Sequence, residues 1–167
     1  MKKKSLIFYF ITLMLICQYP VSVAAISEAQ TTAIVERCDA IKEDLKKVQK
    51  DDARVRVYLG GYYETILTKF ITPLNVRLVE NNLSSAELVE NQNDFAAAKT
   101  LFAIDFVTYQ KNLDGLFGVD CKKEPEKFYD NLKIVRQKRK VMTQDVLRLR
   151  NLLSGHMRLV EKLKGKV

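Results

Sequence analysis

Residues 27–71 read SEAQTTAIVERCDAIKEDLKKVQKDDARVRVYLGGYYETILTKFI, and whether they form one helix or two decides the fold. Ile34, Cys38, Ile41, Leu45, Val48, Asp52, Val55, Leu59, Tyr62 and Ile66 alternate strictly in steps of four and three, and nine of the ten are apolar. That spacing keeps one stripe on one face of a helix, as in a coiled-coil seam. Ser27 and Gln30 form a capping box at its start. The stripe runs through Gly60-Gly61, although each glycine costs about 1 kcal/mol relative to alanine inside a helix. Thr72-Pro73 marks the expected end, because proline disfavours helix in the residue before it. Residues 73–82 read as a short extra helix with Pro73 in its first turn.

Two further stripes follow. Leu88, Gln92, Phe95, Lys99, Phe102, Phe106, Tyr109 and Leu113 lie behind a second capping box, Ser84-Ser85-Ala86-Glu87. Asp114-Gly115 is the expected stop. Pro125 opens the longest stripe: Phe128, Leu132, Val135, Arg139, Met142, Val146, Leu149, Leu153, His156, Val160 and Leu163. Six Gly and three Pro in 167 residues are too few for a turn-rich sandwich or barrel. The expectation is an all-α fold, an elongated antiparallel three-helix bundle occupying residues 26–167 as one domain. A four-helix version, broken near Asp51-Asp52 or Gly60-Gly61, is the competitor.

The cysteines discriminate between the two. With an unbroken first helix, the second descends from about residue 71 and ends level with about residue 43. The loop holding Cys121 then covers the remaining distance, about 8 Å, to Cys38. If the first helix stopped at Asp52, Cys121 would lie roughly 20 Å from Cys38, beyond disulfide reach. The same alignment brings Arg139 level with Asp52, and Asp105 to a similar height. The three define an expected buried polar layer that would fix register.

The first 25 residues carry an address. Met1-Lys2-Lys3-Lys4 is followed by an apolar run from Leu6 to Cys17, then Pro20 and small residues before a cut after Ala25, as in a secretory signal peptide. Export across the cytoplasmic membrane, to a secreted, periplasmic or cell-surface destination, is the expectation. It agrees with an even pair of cysteines. An uncleaved membrane anchor is the second choice, since no charge occurs from Ser5 to Ala25.

Removing residues 1–25 takes three Lys and no acid from the net charge of +8 and leaves +5. From Lys133 onward eleven Lys and Arg face only Asp145 and Glu161, so the last helix carries +9. Either this helix pairs with its own acidic neighbours, Glu36, Glu43, Asp44 and Asp51, or it contacts an anionic partner. Arg158, Lys162, Lys164 and Lys166 would be the contacts to envelope polymer, lipid headgroups or nucleic acid. No aromatic residue follows Tyr129, so specific nucleic-acid binding is unsupported.

No GxSxG, HExxH, CxxC, P-loop or GxGxxG occurs, and His156 is the single imidazole. No catalytic residue, cofactor or metal site is expected. Tyr58, Tyr62, Tyr63 and Phe70 surround Gly60-Gly61 and form the candidate partner patch, because tyrosines are favoured at interfaces. The reading that follows is a non-enzymatic helical bundle mediating protein–protein interaction or self-association, with the basic-helix binder as its rival.

Overall fold

A computed structural model of the chain describes residues 26–83 and 86–164. The expected signal segment, the Ser84-Ser85 cap and Lys166 lie outside the described residues. The fold is all-α, with no strand among the described residues. Helices α1 (Glu28–Glu36) and α2 (Cys38–Ile66), a π turn (Leu67–Ile71) and α3 (Thr72–Glu80) follow one another as a first rod. Helix α4 (Ala86–Phe117) and helix α5 (Pro125–Lys164) are the second and third rods.

The capping box at Ser27 forms: the Ser27 hydroxyl accepts from the Gln30 amide, and the Gln30 side chain accepts from the Ser27 amide. Arg37 interrupts the helix geometry, yet the ladder passes across it, with its amide on the Ala33 carbonyl and its carbonyl on the Ile41 amide. Neither Asp51-Asp52 nor Gly60-Gly61 breaks the rod. The expected end at Thr72-Pro73 is not an end. Proline cannot donate a hydrogen bond, and its ring clashes with the carbonyl four residues earlier. The chain answers by widening one turn, so that the Thr72 amide reaches the Leu67 carbonyl five residues back. Ile66, Leu67, Ile71 and Thr72 all keep right-handed helical dihedrals, and Pro73 sits in the first turn of α3. The rod closes at Asn81, and Asn82 takes a positive φ of 55°, a conformation asparagine tolerates. Helix α4 likewise outruns its expected stop: Gly115 does not take the positive φ of a helix stop, and the helix continues to Phe117.

The second rod runs antiparallel to the first. Gln49 donates to Asp114 at 2.7 Å, Lys99 pairs with Glu64, and Asn75 donates to the Leu88 carbonyl at 3.1 Å. The third rod returns alongside the first, from Gln30 beside Tyr129 to Asp52 beside Arg139. The bundle is therefore three rods, up, down and up. Helices α4 and α5 are its most intimate pair.

Two apolar cores stack along the axis. The lower one gathers Ile34, Phe106, Leu113, Leu116, Phe128 and Leu132 around Cys38 and Cys121. The upper one centres on Tyr63, which stands edge-on to Phe95 (5.9 Å) and Phe102 (6.3 Å), with Ile71 and Leu149 beside it. Cys38 and Cys121 form a disulfide with their Cα atoms 5.7 Å apart, and both are buried. The link ties the start of α2 to the α4–α5 loop. It closes a sequence separation of 83 residues, worth about 4 kcal/mol in the loop-entropy account. The variant carrying Cys38→Ser and Cys121→Ser should lose stability of that order in chemical denaturation, and the native chain should lose as much on reduction.

Candidate functional site

The first and third rods run in the same direction, and the space between them is not filled. Three clefts lie along it. The lowest is lined by Ile41, Leu45, Val48, Leu132 and Val135. The middle one, about 530 Å³, has Phe102 and Phe106 of α4 as its floor, with Val55 and Leu59 on one wall and Met142 and Val146 on the other. The highest, about 670 Å³, is walled by Tyr62, Ile66, Phe70 and Leu74 on one side and by Leu153, Met157 and Val160 on the other. Together they form one groove with an apolar interior. Several of its lips stand in the open: Val55 is 54% exposed, Phe70 65% and Met157 65%.

Where the lowest and middle clefts meet, the groove is bridged. The Arg139 guanidinium donates from Nε and Nη2 to both Asp52 carboxylate oxygens at 2.8 Å, a bidentate pair. The Tyr109 hydroxyl, wholly buried, donates to the same carboxylate at 2.7 Å. Burial first, and the Asp52 carboxylate second, hold the Tyr109 phenol protonated far above its usual range. Asp52 raises the Arg139 guanidinium in turn.

This polar group corrects the expected layer in two ways. Arg139 is not buried, with half of its side chain exposed, because it crosses the mouth of the groove. Asp105 is not a member. It faces Asp145, whose carboxyl is raised by burial first and by the Asp105 charge second. Tyr109 takes the third place instead. Its position in an apolar stripe gives no sign of the hydroxyl that reaches Asp52.

The expected aromatic patch divides. Tyr63 is buried in the upper core and leaves the patch. Tyr58 and Tyr62 stack in parallel with centroids 6.4 Å apart, both exposed, and Phe70 stands further along the lip. Gly60 and Gly61 lie between the two tyrosines, with nothing within 4 Å of where a Cβ would stand.

The basic third rod is not neutralised by the acids of the first. Glu43, Asp44 and Asp51 pair with Lys47 and Arg54 inside their own helix. Among the described residues, Arg139–Asp52 is the one ion pair between α5 and another rod. Arg158, Lys162 and Lys164 are exposed near the helix end, with no ion pair among the described residues. On the groove, Arg56, Arg136, Arg139 and Lys140 border the middle cleft, and Lys69, Arg77 and Lys164 the upper one. The carboxylates bordering these two clefts are Asp52 and Glu161. Arg56 also lies over the Phe106 ring, 5.4 Å from its centroid.

His156 lines the upper cleft and is 5% exposed. Its Nδ1 meets Asn91 Oδ1 at 3.2 Å, while its Nε2 is buried with no protein partner. Burial lowers its pKa from 6.5. No nucleophile contacts it, and no group of three or more His, Cys, Asp or Glu able to hold a metal exists among the described residues. No helix among them is long and apolar enough to cross a membrane. Neither the protein-family models, nor the curated proteins, nor the solved structures contain a match to this chain.

Two measurements test this geometry. Asp52→Ala strands a buried hydroxyl and should cost about 1–3 kcal/mol in urea unfolding, whereas Tyr109→Phe keeps the ion pair and should cost about 1 kcal/mol. For His156, the folded chain resists the proton that the unfolded chain accepts near pH 6.5. The unfolded state then binds more protons, so stability falls as the pH drops through 6.5. His156→Gln should remove that component of the slope, read as a smaller difference in midpoint between pH 7.5 and 5.5.

Proposed function

We propose that this is an exported, non-enzymatic helical-bundle protein that binds a protein partner along the groove between its first and third rods. The observation that carries the reading is the groove itself. Apolar side chains normally closed into a bundle stay open over three successive clefts, with aromatic and methionine side chains on the lips. Aromatic residues and methionine are the types enriched in interface cores, and methionine adapts to irregular partners. Export is supported by the basic-then-apolar start of the chain and by the disulfide, a bond that persists in oxidising compartments. The non-enzymatic part is supported by the setting of His156, the single imidazole, which is buried with its Nδ1 against Asn91.

A second reading keeps a specific observation. The unpaired cations Arg158, Lys162 and Lys164 at the end of α5 suit an anionic envelope polymer or lipid headgroup. Photo-crosslinking in the native host separates the two. A photoreactive residue at Phe70 or Met157 should give protein adducts, and one at Val107, exposed on the outer face of α4, should not. Equal labelling at all three, or none, overturns the groove reading. Loss of envelope association on truncation after Val160, with crosslinks from Phe70 intact, assigns the anionic surface to the tip alone.

A further inference from the structure

The upper cleft says what kind of partner it takes. Its walls run parallel for about 20 Å, the length of three to four helical turns. The interior is apolar, from Ile66 and Leu74 to Leu153 and Val160. The rim is charged with one sign in excess: Lys69, Arg77 and Lys164 against Glu161. None of these three cations has an ion pair among the described residues. The cleft lies between two helices that share α4 as their backing, which is the place a fourth helix takes in a four-helix bundle. A wet, charged ligand would leave the apolar interior uncovered, and a basic helix would be repelled at the rim. His156 also lines this wall, with its ring almost wholly buried.

We infer that the upper cleft receives an amphipathic α-helix of a partner protein, with an apolar stripe facing Ile66 and Leu153 and acidic residues flanking it toward Lys69, Arg77 and Lys164. This inference rests on the protein-binding reading of the groove and names the element that enters it. Helix-in-groove recognition of this kind reads anchors at i, i+3, i+4 and i+7, and the rim charges select for sign. Charge complementarity at an exposed rim acts mainly on encounter and specificity, so the effect should weaken with salt.

The test uses the disulfide-bonded chain and two fluorescent peptides of about 18 residues. One carries leucines at i, i+3, i+4 and i+7 with glutamate at the flanks, and its twin carries lysine in place of glutamate. The acidic peptide should bind at least about tenfold more tightly by fluorescence anisotropy. That preference should shrink between 50 mM and 500 mM salt. It should also be lost in the variant combining Lys69→Glu, Arg77→Glu and Lys164→Glu. An equal charge change at Lys46, Lys50 and Arg150, which lie outside the cleft, should leave it unchanged. A smaller ratio, or no binding of either peptide, overturns the inference. The wild-type comparison alone decides this even if a charge variant fails to fold. Saturation of the cleft by palmitate or by phosphatidylglycerol vesicles while neither peptide binds also overturns it, assigning the site to a lipid. Protein crosslinks from Phe70 and Met157 without acidic-peptide binding would remove the helix and leave the protein-binding reading standing. Absence of any such crosslink fails the broader reading.

Discussion

An α-helix turns once every 3.6 residues, and an apolar stripe repeating every 3.5 residues stays on one face only if the helix supercoils. The first rod does not follow its stripe. Its inward line is Ile34, Cys38, Ile41, Leu45, Val48 and Asp52, and then it steps sideways to Arg56, Leu59, Tyr63, Leu67 and Ile71. That line keeps the period of a nearly straight helix, and the π turn before Pro73 adds one more residue of offset. The stripe and the buried face therefore part company above Asp52. Val55 and Tyr62, both stripe residues, move out to the lip, and Tyr63 rotates in against Phe95 and Phe102. In its upper half the first rod thus packs on α4 and leaves Val146, Leu153 and Val160 of α5 only half covered, while Leu149 and His156 stay buried. The groove is the consequence of this divergence, and its widest cleft lies where the divergence is greatest.

Two fixed points keep the divergence from spreading downward. The disulfide sets the height of the first rod against the α4–α5 loop. Further up, the Asp52 carboxylate collects one donor from each of the other rods, the Tyr109 hydroxyl and the Arg139 guanidinium. A group that must satisfy three helices at once tolerates no slip of register, because a slip would strand a buried hydroxyl. It costs less than a fully buried ion pair, since Arg139 remains half solvated. Its position between the two apolar cores makes it the boundary of the ordinary bundle below and the open groove above.

The rods themselves were legible because their determinants are local or periodic: the Ser27 box, the stripe through Gly60-Gly61, Pro125 and the length that brings Cys38 level with Cys121. Pro73 does not end the rod, because its rule concerns a regular helix, and a π turn absorbs the same steric conflict without ending it. The third member of the polar group was hidden since Tyr109 counts as apolar in a stripe and polar at its tip. Asp105 was misplaced by height alone, which says nothing of the direction a side chain takes around a helix. The groove could not be read at all from a heptad, because a heptad places Val55 and Tyr62 inside the bundle and both stand exposed on the lip.

The charge of the third rod has a related explanation. Acids on the first rod sit three or four residues from its own bases, and such pairs form within one helix at little entropic cost. That arrangement consumes the anions that α5 would otherwise have used. Beyond Asp145 the bases of α5 have few acids at the same spacing, and Arg158, Lys162 and Lys164 carry no ion pair among the described residues. A helix of like charges repels itself, mildly at exposed sites, and the penalty falls when an anionic surface approaches. The exposed tyrosine stack beside two glycines that nothing crowds adds a second departure from what the bundle needs for its own stability. Tyr62 of that stack and Lys164 of the tip line the same upper cleft. Neither is required by packing within the chain, and the apolar, acidic helix proposed for the upper cleft would relieve both.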